Sequence, residues 1–150
     1  MIHYVQKQPS GRLLIVSNAG QEETDLTFSM LFGRWALEGL STWEGRVLAV
    51  RRRFGWKAKI PIYCREGLVL MPIRSMRSER GLFVNFAAIR RWKPTKDGGA
   101  EVTFSDGSVL RAGEASPFRK RMEEARLVQD AASGKIARQE NAYMLKKPIE

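Results

Sequence analysis

Hydrophobic positions along the chain come in short bursts separated by glycine, proline and small polar residues, a pattern that predicts many strands and few helices. Residues 12–17 (Arg-Leu-Leu-Ile-Val-Ser) predict a first strand, with Ser10-Gly11 before it and Asn18-Ala19-Gly20 as the turn after it. Over residues 26–37 the apolar side chains at 28, 31, 32 and 35 have helical spacing, with Thr24 or Asp25 as the capping residue and Phe28, Phe32 and Trp35 in the core. Residues 47–54 predict a strand by β-branched content and period two, which sets Arg51 and Arg53 on one solvent face with Val47 and Ala49. Short strands follow at 59–64 and 68–73, and Pro61 and Pro72 mark them as edge or terminating segments. An apolar stretch, 83–92, ends in Arg90-Arg91-Trp92. Ser105-Asp106-Gly107, between 101–104 and 108–111, signals a hairpin. Ser116 followed by Pro117 predicts the start of a helix with Phe118, Met122, Ala125 and Val128 on one stripe. The expected product is a β-rich α+β fold, several short antiparallel strands with one helix before and one after them. It forms a single domain over residues 1–132, followed by a flexible C-terminal tail over 133–150.

With 150 residues, 43% of them hydrophobic, the chain can bury one ordinary core. No apolar run reaches the ~20 residues that span a bilayer, and the first residues lack the charged-then-apolar order of a secretory signal. A single cysteine, Cys64, fits a reducing compartment, so a cytoplasmic protein is expected. One histidine and one cysteine cannot assemble a zinc site of nitrogen and sulfur ligands.

Charge alters this picture more than composition does. Residues 46–93 carry thirteen basic side chains against two acids, Glu66 and Glu79, a net of +11 that exceeds the +10 of the whole chain. Such a segment repels itself unless a polyanion neutralises it, and nucleic-acid phosphate is the usual one. Ten of the thirteen are arginine, whose planar fork binds phosphate or a guanine edge in a bidentate way.

Catalytic chemistry is sparse. His3, near the terminus, reads as a surface residue, and Cys64 reads as a small buried hydrophobe with no histidine to activate it. The glycines form neither a P-loop nor a dinucleotide fingerprint. Glu22-Glu23 and Glu123-Glu124 read as solvated charge. No enzyme, cofactor or metal is expected.

From Gly39 to Leu110 the order of features resembles the ComK family of bacterial competence transcription factors. Gly39-Leu-Ser-Thr-Trp-Glu-Gly45-Arg46 is similar to the family's G-x-S-[ST]-aromatic-x-G-R segment, and Lys59-Ile-Pro-Ile62 to its K-x-P-I. Leu70-Met-Pro-Ile-Arg-Ser75 and Glu101-Val-Thr-Phe-Ser-Asp-Gly107 follow at matching spacing. The chain departs from the family at Gly81-Leu-Phe-Val-Asn-Phe-Ala-Ala-Ile89, where cysteine, tryptophan and histidine are replaced. Arg138-Gln-Glu140 and Tyr143-Met-Leu-Lys-Lys-Pro148 resemble the family's C-terminal stretch, which implies Tyr143, Met144, Leu145 and Lys146 as a handle for a MecA-type Clp adaptor. A second resemblance, to LytTR-type DNA-binding domains, rests on Arg80-Gly-Leu-Phe-Val-Asn85, Ile89-Arg90, the 101–107 hairpin and Phe118-Arg119-Lys120-Arg121.

Both resemblances imply a β-rich reader of double-stranded DNA. The competence factors imply paired A/T-rich boxes, a homodimer or higher assembly on DNA, and arginine in a narrow minor groove. The expected phosphate contacts are Arg46, Arg51, Arg53, Lys57 and Lys59, with Arg119 and Lys120 at the start of the last helix. Arg74, Ser75, Arg77, Ser78 and Arg80 are expected to form the loop that enters a groove. Two alternatives stay open: an RNA-binding or ribosome-associated module using Trp43, Trp56 or Trp92 for stacking, and a metal-dependent nuclease.

Overall fold

One of the two central strands of the larger sheet is one that the hydrophobic pattern does not announce. In the computed structural model, which describes residues 1–134, Ile2–Lys7 (β1) pairs with both Leu13–Ser17 (β2) and Leu82–Asn85 (β6). With Gly20–Thr24 (β3), Ile62–Arg65 (β4) and Leu68–Arg74 (β5) they form an antiparallel sheet of order β3-β2-β1-β6-β5-β4. A second antiparallel sheet holds Ile89–Pro94 (β7), Gly99–Phe104 (β8) and Val109–Glu114 (β9). A single 3₁₀ turn, Phe86–Ala88, joins the two. The fold is therefore α+β and β-rich, as the pattern indicates. The 105–107 hairpin turn is also as read, with Gly107 at φ 87° and the Asp106 carboxylate accepting the Ser108 amide at 2.9 Å.

Helix α1 (Phe28–Glu38) starts at Thr27, whose hydroxyl accepts the Met30 amide at 3.2 Å, rather than at Thr24 or Asp25. Asp25 instead pairs with Arg12 at 2.9 Å. Residues 47–54, expected as a strand, belong to helix α2 (Trp43–Phe54). The reason is legible in hindsight: Trp43, Val47, Val50 and Phe54 recur at helical intervals and turn inward. The Thr42 hydroxyl caps one end by accepting the Gly45 amide, and Gly55, at φ 72°, closes the other. Helix α3 (Ala115–Ala132) begins before the expected Ser116 cap and places Pro117 in its first turn, where an amide hydrogen has no helical partner to lose.

Proline also marks β4 as an edge strand, whereas β5 is not one: it lies between β4 and β6 and buries residues 68–72. Pro72 is tolerated because it lies beyond Leu70, where the pairing with β4 ends. Helix α3 packs across β4 and β5 of one sheet and β8 and β9 of the other, and α1 and α2 cover β4. The core thus runs continuously from Phe32 and Trp43 through β5 and β6 to Phe104 and Phe118.

Two polar residues, Asn85 and His3, are completely buried in this core. Asn85 accepts the amides of Val69 (3.0 Å) and Ala87 (3.1 Å) and donates to the carbonyls of Ile2 (2.8 Å) and Gly67 (2.9 Å). Its capacity is filled. His3, expected at the surface, is fully buried, because the alternation of β1 turns His3 and Val5 to one side. Its ring stacks on Phe104 at 4.6 Å, linking the two sheets. Burial pushes the His3 imidazole below its ordinary pKa, while Asp106, 3.8 Å from Nε2, pulls the other way.

Candidate nucleic-acid interface

The basic residues come to the surface in three places, each fixed by its own element. Arg51, Arg52 and Arg53 form the last turn of α2, where the helix dipole favours positive charge. Because this segment is helical, Arg51 and Arg53 point to different sides rather than sharing a strand face. Arg53 lines an apolar groove with Val50, Phe54, Val128 and Ala131, while Arg51 and Arg52 are exposed. Lys57 and Lys59 follow on the exposed connection to β4.

Arg46 does not join this group. Its Nε donates to the Cys64 carbonyl at 3.2 Å and its Nη2 to the Gly39 carbonyl at 3.1 Å, and its guanidinium lies 5.0 Å over the Tyr63 ring. The side chain is a clamp between α1, α2 and β4, so its expected phosphate contact is replaced by a structural role. Gly39 gives it room: a Cβ there would sit 3.0 Å from both Arg46 Nη2 and Arg65 Cβ, tighter than side chains ordinarily pack.

The second place is the connection between β5 and β6, residues 75–81. It is tied at both ends and across its middle. The Ser78 amide donates to the Ser75 carbonyl and the Gly81 amide to the Ser78 carbonyl, each at 3.1 Å. The Arg80 amide donates to the Ser78 hydroxyl at 3.1 Å, and Lys7 Nζ reaches the Met76 carbonyl at 2.7 Å. Arg74 Nε donates to the Arg80 carbonyl at 2.7 Å, bracing the loop from β5. Ser75 and Ser78 thus turn the chain, and Arg77, Glu79 and Arg80 are its exposed charged side chains, two cations against one acid. Gly81 fits where nothing larger does, since a Cβ would lie 2.8 Å from the Phe28 ring and 2.9 Å from the Ser75 carbonyl.

The third place brings β7 beside α3. Arg119 lies 5.0 Å over the Trp92 ring, which also meets Phe118 edge-on at 5.0 Å. Lys120, Arg90 and Arg91 are exposed nearby in sequence on the same two elements. Sequence reasoning passed over Arg121 as a site residue. It stands three residues after buried Phe118, an interval that turns it toward β5 and into the groove shared by Lys59 and Arg74.

None of Arg51, Arg52, Lys57, Lys59, Arg77, Arg80, Arg119 and Lys120 forms an ion pair among the described residues. The aromatics proposed for base stacking are engaged: Trp43 is buried, Trp56 stacks on Phe54 at 4.5 Å, and Trp92 is covered by Arg119. Tyr143, Met144, Leu145 and Lys146 lie outside the described residues.

A serine, a histidine and an aspartate do meet between the sheets. The Ser108 hydroxyl, 3.4 Å from His3 Nδ1, donates instead to the Asp106 carboxylate at 2.6 Å, the reverse of what an activated nucleophile needs. Burial pushes the Cys64 thiol up to about 11, and it donates to the Phe32 carbonyl at 3.5 Å. Among the described residues no three His, Cys, Asp or Glu side chains gather in a way that could hold a metal ion, and no helix is long and apolar enough to cross a membrane. Comparison with family models, curated proteins and solved structures finds no match for this chain.

Proposed function

We propose that the protein is a sequence-selective, double-stranded-DNA-binding transcription regulator of the cytoplasm, acting at A/T-rich boxes as a dimer in the manner that its resemblance to the competence factors implies. The observation that carries this reading is the braced 75–81 loop. It holds two exposed arginines, Arg77 and Arg80, which form no ion pair among the described residues, on a connection braced by hydrogen bonds from β1, β5 and its own turns, as a probe inserted into a groove requires. Arg51, Arg52, Lys57, Lys59 and Lys120 supply the surrounding charge for phosphate. The burial or covering of Trp43, Trp56 and Trp92 favours duplex over unpaired strands, because a single-strand reader needs free aromatic faces.

The two roles separate experimentally. Arg77→Ala or Arg80→Ala is expected to weaken binding to a preferred duplex by about tenfold, within the ~1–3 kcal/mol of a base-reading arginine, and to relax sequence preference. Lys57→Ala is expected to weaken all duplexes alike and to flatten the salt slope by about one unit. Electrophoretic mobility shifts on a selected and a random duplex check this. Equal effects of both kinds of substitution on both duplexes would refute the loop's role.

A further inference from the structure

Lys59, from the connection after α2, Arg74, at the end of β5, and Arg121, on α3, line one groove of about 380 Å³. Ile73 and the exposed Pro117 give it an apolar edge, with Pro72 and Phe118 buried behind them, and Glu114 is the carboxylate on its lining. The volume falls in the range of small-ligand pockets, ~300–1,000 Å³.

The charges are not there for internal pairing alone. Lys59 is exposed, makes no ion pair among the described residues, and stands at φ 50°, a left-handed conformation uncommon for a residue with a Cβ. Arg74 is half-buried beside Arg80, and this burial and the neighbouring positive charge push its guanidinium below its ordinary pKa. Arg121 gives Nη1 to Glu124, which leaves its other guanidinium donors for the groove. Helix α3 begins at this groove, and no side chain caps its first turn, where negative charge is favoured.

We propose that this groove is a binding site for a nucleoside monophosphate or a ligand of that chemistry. The phosphate sits among Lys59, Arg74 and Arg121, the sugar hydroxyls donate to Glu114, and the base lies on Ile73 and Pro117. The site goes beyond duplex recognition and stands without it, since a mononucleotide can be titrated with no DNA present. Where both hold, the Arg74 hydrogen bond to the Arg80 carbonyl links the ligand to the reading loop.

Isothermal titration calorimetry of the full chain at low salt with AMP, adenosine and inorganic phosphate tests the proposal. AMP is expected to bind about tenfold or more tightly than either fragment. Lys59→Gln and Arg121→Gln are each expected to weaken AMP by about tenfold, while Arg34→Gln, an exposed cation of α1 that does not line the groove, leaves it unchanged. Should Arg121→Gln fail to fold for want of its Glu124 pair, Lys59→Gln decides, because that side chain holds nothing else together. AMP binding no tighter than phosphate alone, or unaffected by Lys59→Gln, would overturn the site. Duplex binding measured on the same wild-type protein fails or succeeds separately.

Discussion

Asn85→Ala is expected to remove about 3–5 kcal/mol of stability, read as a lowered urea midpoint with the slope unchanged. The residue is fully buried and makes four hydrogen bonds to four backbone groups on four segments: β1, the turn between β4 and β5, β5 itself, and the 3₁₀ turn after β6. Alanine strands the buried Val69 amide and takes the partner from one amide and two carbonyls that are part-buried, and each unsatisfied buried group costs about 1–3 kcal/mol, less whatever relaxation recovers. For a domain whose whole stability is ~5–15 kcal/mol, the remainder is slight. A loss below about 1 kcal/mol would show that Asn85 is not the junction between the strands described above.

Phe32→Ala is expected to cost about 3–5 kcal/mol by the loss of a large buried ring and the cavity left behind. Phe32 is fully buried and stands among Phe28, Trp35, Trp43 and Phe83, with ring centroids 5.6, 5.9, 4.9 and 5.0 Å away. It is the point where α1 and α2 meet the six-stranded sheet, so the cavity opens between three elements and none can close it alone. Met30→Ala, on the exposed side of the same helix, is the matched control and is expected to stay within about 0.5 kcal/mol. Thermal unfolding followed by tryptophan fluorescence compares the two, and near-equal midpoints would place the core elsewhere.

Strand β2 and the β8–β9 hairpin were readable from the residues because short apolar runs are bounded by explicit turn residues. Strand β1 was not, since its buried positions are His3 and Val5 and a histidine does not signal a core. Only the stacking on Phe104, about a hundred residues away, gives His3 its place, and no local window contains that contact. Helix α2 was misread for a different reason. Its valines raise strand propensity, while its three consecutive arginines interrupt the apolar pattern at the end where the helical period would have been clearest.

That misreading carried through to the site. Taken as a strand, residues 47–54 paired Arg51 with Arg53; as a helix they divide, and Arg46 turns inward to hold Gly39 and Cys64. The 75–81 loop was found from its charge alone, but its bracing depends on backbone hydrogen bonds that composition cannot show. Arg121 was within reach: the interval from Phe118 already placed it on the inner side of α3.

Selective binding to duplex DNA is most directly tested by fluorescence anisotropy with labelled A/T-rich duplex, G/C-rich duplex and single-stranded RNA, each over a salt series. The A/T-rich duplex is expected to bind more tightly than the other two at every salt concentration, with affinity falling as salt rises because phosphate contacts release counterions. Equal binding to all three that collapses together with salt, or preference for the single strand, would contradict the account.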